Sequence, residues 1–225
     1  MKLANAEVVR NPFLVPWGKP APWPDEARGL RLACVGRLFP REKGQDIVLR
    51  VLARERWRER PVSLTFFGSG PHLEGLKATA DYLGLANVTF AGFATDVAAI
   101  WRDHHALLLP SHCEGLPLAL VEAMLSGRVA IVTDVAGHGE IVEDGVTGFL
   151  AAAPTADHVD EALERAWQRR SEWREIGVAA AERARSLVPP RPERVLADMI
   201  AEWAGEGRMS PGAAASGPRL APGPA

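Results

Sequence analysis

The stretch that decides the fold is Ala106-Leu107-Leu108-Leu109-Pro110-Ser111-His112-Cys113-Glu114-Gly115-Leu116-Pro117, running into Leu118–Leu125. Its four consecutive apolar residues read as a strand buried on both faces, since a half-solvated strand would alternate. A polar loop follows, and Leu118–Leu125 reads as a helix with Pro117 as its first residue, where a missing N–H costs nothing. A strand, a polar loop at its carboxyl end and a helix make one unit of an α/β fold.

The same unit recurs on either side. Leu30-Arg31-Leu32-Ala33-Cys34-Val35 ends at Gly36, and a helical stretch from Gly44 places Ile47, Val48, Val51 and Leu52 on one face. A second strand is predicted over 61–67, ending at Gly68-Ser69-Gly70-Pro71, with a helix to about Leu83. Further strands are predicted over 88–90, 129–132 and 148–150, with a helix over 95–103. Apolar strands alternating with helices predict an α/β fold, a Rossmann-like parallel sheet flanked by helices. Ligands of such sheets sit beyond the carboxyl ends of the strands, here just after Val35, Phe67, Phe90, Leu109 and Val132.

Outside this block the character changes. Residues 1–28 carry Pro12, Pro16, Pro20, Pro22 and Pro24 with Trp17 and Trp23, which excludes regular helix and predicts a linker or a strap over the surface. After Pro154 a helical C-terminal extension is expected. It begins with the stripe Val159, Ala162, Leu163, Ala166 and Trp167, is broken at Pro189-Pro190, and closes with a helix over about 193–203. Residues 29–204 thus form the expected domain. Residues 205–225, mostly Gly, Pro, Ala and Ser, read as a disordered tail.

Composition removes several function classes. A formal charge of -2 over 225 residues gives no electrostatic pull on nucleic acid. Two cysteines, Cys34 inside an apolar run, do not make a disulfide framework. No apolar run is long enough to span a bilayer, and residues 1–5 lack the apolar centre of a secretory signal, so a cytoplasmic location is expected, with peripheral membrane contact left open. His104, His105, His112 and His138 lack ligand spacing, and no metal site is expected.

The predicted strand ends supply the chemistry. In Gly36-Arg37-Leu38-Phe39-Pro40-Arg41-Glu42-Lys43-Gly44, glycine allows close backbone approach and a helix start offers free N–H groups to an anion. Arg37 and Lys43 add two cations suited to a diphosphate, or are two solvated residues of a surface loop. Gly68 and Gly70 suit close ligand contact, or simply a tight turn. Seven residues separate Glu114, in the loop, from Glu122, on the helix. Flanked by Val121, Ala123, Met124 and Leu125, the Glu122 carboxylate requires a hydrogen-bonding partner. Thr133 to Glu140 reads as a polar loop, followed by a tight turn at Glu143-Asp144-Gly145.

Taken together these residues resemble the family-4 retaining glycosyltransferases of the two-domain GT-B fold, over about residues 8–203. Gly36-Arg37 with Lys43-Gly44 looks like the family's diphosphate clamp, and Glu114 with Glu122 like its paired glutamates. Phe67-Gly68-Ser69-Gly70-Pro71, Gly92-Phe93, Pro110-Ser111, Glu122-Ala123-Met124 and Asp144-Gly145 with Gly148 fall in the family order. The resemblance implies the C-terminal, donor-binding half of a GT-B enzyme, a hexosyltransferase that needs neither metal nor cofactor beyond its nucleotide-diphosphate sugar co-substrate. It implies catalytic roles for Arg37, Lys43 and Glu114. Gly36, Gly68, Gly70, Ser111, Gly115, Leu116, Pro117 and Glu122 would bind the donor, Glu122 through the ribose hydroxyls.

Two departures qualify this expectation. The family's proline after the Gly-x that opens the fifth strand is Val129 here, which should loosen the turn at Gly127-Arg128. Residues 8–12 resemble the interdomain linker, with no room ahead of Leu30 for an acceptor domain, so a separate N-terminal-type domain is the expected partner. Two rival readings differ in class. One is a non-catalytic nucleotide-sugar-binding or interaction protein derived from such an enzyme. The other is a dehydrogenase, which requires Gly-x-Gly-x-x-Gly where this chain has Gly36-Arg37-Leu38-Phe39-Pro40-Arg41.

Overall fold

The structure is a computed structural model and describes residues 11–27, 29–115 and 117–206. The apolar runs become six strands, all paired in parallel, and the segments between them become helices. In chain order the elements are β1 (Leu30–Val35), α1 (Pro40–Lys43), α2 (Gln45–Leu52), α3 (Glu55–Arg58), β2 (Val62–Phe67), α4 (Leu73–Tyr82), β3 (Val88–Gly92) and α5 (Val97–Asp103). They continue with β4 (Ala106–Leu109), α6 (Leu118–Leu125), β5 (Val129–Thr133), α7 (His138–Ile141), β6 (Gly148–Ala151), α8 (Ala156–Gln168), α9 (Trp173–Leu187) and α10 (Pro192–Glu206).

The sheet order is β3-β2-β1-β4-β5-β6. The chain builds outward from β1 to β3, then crosses back to lay β4 against β1, with Leu32 opposite Ala106. That reversal opens a crevice at the carboxyl ends of β1 and β4, the ligand position of doubly wound sheets. Every residue of β4 and β5 is buried, as the unalternating apolar runs require. On β1 the side chains alternate: Leu32 and Cys34 join the core under α2 and α8, whereas Ala33 joins the core under α6 and α9.

Residues 11–27 form neither helix nor strand and lie across the domain. Val15 is buried. Trp17 Nε1 donates to the Val188 carbonyl at 3.1 Å, and the Ala21 N–H donates to the Ser126 carbonyl at 3.1 Å. The turn at Gly127-Arg128 is not loose: the N–H groups of Gly127 and Arg128 donate to the carbonyls of Met124 and Ala123 at 2.8 and 2.9 Å. Arg128 is itself buried and grips the strap. Its guanidinium donates to the carbonyls of Trp101 (2.6 Å), Ala21 (3.3 Å) and Pro22 (2.6 Å) and lies over the Trp23 ring. Burial without a carboxylate partner pulls its pKa down to about 10.

Other details depart from expectation. Pro117 caps α6 from an extended conformation rather than standing inside it. The loops around Pro40 and His138 each contain a four-residue helix, too short for periodicity to register. β3 runs on to Gly92, and α10 includes Gly205 and Glu206, where the tail was expected to begin. The rest of that tail, 207–225, and residues 1–10 and 28 of the expected strap lie outside the described residues.

Candidate active site

The site is assembled from the loop after β1 and the loop after β4. Gly44 joins them: it adopts φ +64°, and a Cβ there would stand 2.1 Å from the Pro110 carbonyl oxygen. Only glycine allows that approach. The His112 N–H donates to the Glu42 carbonyl at 2.8 Å, so the two loops are tied on both sides of Lys43.

This contact brings Lys43 to Glu114. Lys43 Nζ donates to both carboxylate oxygens at 2.7 Å, and the Ser111 hydroxyl donates to Glu114 Oε1 at 2.6 Å. The side chains are 20% and 6% exposed, so the pair is largely shielded from water. Arg37 points outward, its guanidinium bonded to Glu42 and resting over the Phe39 ring. Its carbonyl is fixed from behind by Gln45 Nε2 at 2.8 Å. Each cation of the expected clamp therefore has a carboxylate partner that an arriving anion must share or displace.

Glu122 is buried and accepts the Leu14 N–H at 3.0 Å. The partner that its apolar surroundings demand thus comes from the strap, a contact that sequence patterning does not encode. Burial raises its pKa, and the Leu14 hydrogen bond acts against that rise. α6 starts beside it without a side-chain cap; the Leu120 and Val121 N–H groups donate to the Pro117 carbonyl at 3.1 and 3.4 Å, and Leu118 and Ala119, ahead of them, line the same hollow.

Gly36, Arg37, Lys43, Glu114, Pro117 and Glu122 line one hollow of about 350 Å³, shared with Asn11, Leu118 and Ala119. A second hollow, of about 590 Å³, adjoins it through Val35, Gly36 and Arg37 and is mostly apolar, with Phe67, Gly68, Phe93, Val97 and Ile100 in its wall. A further hollow of about 360 Å³, lined by Gly29, Pro61 and Trp167, lies at the opposite, amino-terminal ends of β1 and β2.

The remaining expected residues fall in different places. Gly68 and Gly70 pack against the loop after β1, where a Cβ would meet the carbonyl oxygens of Gly36 and Leu38 at 2.0 and 2.3 Å. Their absent side chains are explained by loop-on-loop packing, and Gly68 also lines the apolar hollow. Ser111 is buried behind Glu114, and Gly115 is exposed at the rim. Leu116 lies outside the described residues. Cys34 is buried beneath the site, where burial pushes its thiol up to about 12 and makes it unreactive. Leu14 was not singled out from the sequence, because it enters through strap placement; Phe93 and Thr133 were read only as parts of a motif and of a polar loop, and strand order brings them to the site.

Comparison with known proteins decides the family. Residues 29–169 match the family model described as glycosyl transferases group 1. The chain belongs to this family. The matched span covers β1 to the end of α8, including both loops of the site. The chain is 34% identical over 145 residues to the GDP-mannose-dependent alpha-(1-6)-phosphatidylinositol monomannoside mannosyltransferase of Mycobacterium tuberculosis, covering 59% of this chain and 37% of that protein. The chain thus spans little more than a third of that relative.

Solved structures share the fold. A crystal structure of a TarM variant of S. aureus, in complex with Fondaparinux, alpha-GlcNAc-glycerol and UDP, superimposes with a TM-score of 0.75 at 18% identity. It covers 89% of this chain and 40% of that one. The C-terminal domain of a group 1 glycosyl transferase from Francisella tularensis gives a TM-score of 0.63 at 20% identity, over 73% of this chain and 94% of that one. The chain has the Rossmann-like fold of the GT-B neighbours, and no helix among its described residues is long and apolar enough to cross a membrane.

Proposed function

We propose that this chain carries the donor-binding, C-terminal half of a family-4 retaining glycosyltransferase. One observation supports the reading above the others: Arg37, Lys43, Glu114 and Glu122, from three separate segments, line a single hollow beside the strand-order reversal. The donor's diphosphate would lie against Arg37, Lys43 and the start of α6, whose positive end replaces a metal ion. Glu114 would accept from sugar hydroxyls and Glu122 from the ribose. The apolar hollow beyond Arg37, walled by Phe67, Phe93 and Val97, has the size and lining for a planar base.

Transfer would proceed on one face of a hexosyl ring. The bond from the anomeric carbon to the diphosphate oxygen breaks, the bond to the acceptor oxygen forms on the same side, and the leaving phosphate takes the acceptor's proton. Arg37 and Lys43 stabilise the charge that grows on the diphosphate. The residues of this hollow act on the donor, and none of them is assigned to acceptor positioning, which contributes a large share of the barrier. The longer M. tuberculosis relative, named for GDP-mannose dependence, and the UDP in the TarM structure support a nucleotide-sugar donor. Its free thiols, Cys34 and Cys113, suit a reducing cytoplasm.

Calorimetric titration with UDP, GDP and ADP tests the site. At least one nucleotide should bind, about tenfold or more weakly to Arg37→Ala and to Glu122→Ala. Absence of binding by all three would remove the donor-site reading. Undiminished binding by both variants would reassign the two residues.

A further inference from the structure

Behind Glu114 stands a chain of hydrogen bonds leading to the next strand. The Thr133 hydroxyl, at the end of β5, donates to the Ser111 carbonyl at 2.6 Å, and the Ser111 hydroxyl donates onward to Glu114 Oε1 at 2.6 Å. On its far side the Thr133 carbonyl lies 2.7 Å from Nδ1 of His138, the first residue of α7. A carbonyl oxygen only accepts, so Nδ1 carries the proton, and the ring is neutral in its buried setting. Burial also lowers the His138 pKa, consistent with that neutral form. Ser111, Thr133 and His138 are all fully buried.

Buried hydrogen bonds of this length hold their groups in one geometry, because a released donor or acceptor finds no water. Ser111 has two adjustable features, its peptide plane and its hydroxyl rotor. Thr133 fixes the first and Glu114 takes up the second. Lys43, on the opposite side of the carboxylate, comes from the segment after β1 and its side chain is 20% exposed, whereas Ser111 is fully buried. The Ser111 side is therefore the stationary reference for Glu114.

We propose that Thr133, backed by His138, is a positioning residue that fixes the Glu114 carboxylate through Ser111 and so sets affinity for the sugar portion of the donor. The inference rests on the reading of Glu114 as the sugar-facing carboxylate. It assigns a role to β5 and α7, neither of which contributes a wall residue to the hollow containing Glu114.

The test separates sugar from nucleotide. Wild type is first titrated with UDP, GDP and ADP and with the matching glucose and mannose nucleotides. The pair that binds is then titrated against Thr133→Val, Thr133→Ser, Ser111→Ala and the double variant Thr133→Val/Ser111→Ala. Thr133→Val should weaken the nucleotide sugar roughly fivefold to tenfold and change the bare nucleoside diphosphate by less than about twofold. Thr133→Ser, which keeps the hydroxyl, should bind as wild type does. The double variant should lose no more than Ser111→Ala alone, since both substitutions break one relay.

Equal weakening of both ligands by Thr133→Val, or additive losses in the double variant, would overturn the relay and leave the donor site standing. Wild type that binds no nucleotide would remove the donor site itself, a failure visible before any variant is made. Should Thr133→Val not fold, Thr133→Cys gives a weak donor of similar size and is read by the same criteria.

Discussion

Lys43 Nζ stands 2.7 Å from both carboxylate oxygens of Glu114, a pair closed across 71 positions of sequence by the contact of Gly44 with Pro110. A largely buried carboxylate that loses its cation keeps its desolvation cost without the compensating attraction. Lys43→Ala should therefore destabilise the fold by about 2–4 kcal/mol, less than a wholly buried pair because Lys43 is partly solvated. Glu114→Gln, which keeps an acceptor and removes the charge, should cost under about 1.5 kcal/mol. Urea unfolding midpoints of the two variants check this, and equal losses would mean that the pair contributes geometry without charge.

Glu122 presents the opposite case, a buried carboxylate whose partner is only the Leu14 N–H. Its folded pKa is raised above the ordinary 4.5 by burial. The sign follows: its contribution to stability is full below 4.5 and is lost as pH rises through the raised folded value. Glu122→Gln retains an acceptor for Leu14 and removes that loss. The variant should melt about 2–4 °C above wild type at pH 7.5, with the gap closing below pH 4.5. Nucleotide affinity should meanwhile fall about tenfold, because ribose hydroxyls lose a charged acceptor. Melting curves at pH 4, 6 and 7.5 decide it; a gap that does not vary with pH would show that the charge is not the cause.

Sequence reading reached the sheet because four buried residues such as Ala106–Leu109 have no other economical fate than a central strand. It pointed to Lys43, Glu114 and Glu122 because they follow strand ends, where an α/β sheet exposes its ligands, and the fold brings the three to one hollow. Strand order was not legible: nothing local in Leu30–Val35 says that β4, and not only β2, will pair with it. Contacts that follow from that order, such as Thr133 with Ser111, stayed hidden for the same reason, although Thr133 itself was read as the start of a polar loop. Arg128 was misjudged differently. Next to Gly127 it looked like part of a loosened turn, whereas two of its partners, the Ala21 and Pro22 carbonyls, lie more than a hundred positions away.

Gly44 carries the loop contact, and its substitution probes that contact directly. Gly44→Ala puts a methyl group 2.1 Å from the Pro110 oxygen and forces φ +64° on a residue that resists it. The backbone must shift, so stability should fall by about 2–4 kcal/mol. Because Lys43 is the neighbouring residue, the Glu114 pair should open, and nucleoside diphosphate binding should weaken along with stability. Gly115→Ala, at an exposed rim glycine with open space for a Cβ, is the control and should change stability by less than about 1 kcal/mol. Paired denaturation and titration of the two variants would sink the argument if they behaved alike.

Arg128 tests whether the strap is held by the domain or merely rests on it. Its charge is buried among carbonyls of Trp101, Ala21 and Pro22, with the Trp23 ring across it. Arg128→Met keeps most of the volume and relieves the desolvated charge, but it strands those oxygens. The two effects oppose each other, so global stability should drop by only about 1–3 kcal/mol. The Ala21 and Pro22 carbonyls, however, can recover water only if the strap lifts. Limited proteolysis should cut Arg128→Met within residues 11–27 at least about tenfold faster than wild type, while the β-sheet core stays protected. Arg185→Ala, which removes an exposed bond to the Gly18 carbonyl, should leave the cutting rate within about threefold of wild type. If both variants are cut equally fast, the strap is held by many weak contacts rather than by Arg128. Leu14 belongs to the strap, so its release should also free the Glu122 carboxylate and weaken nucleotide binding in parallel.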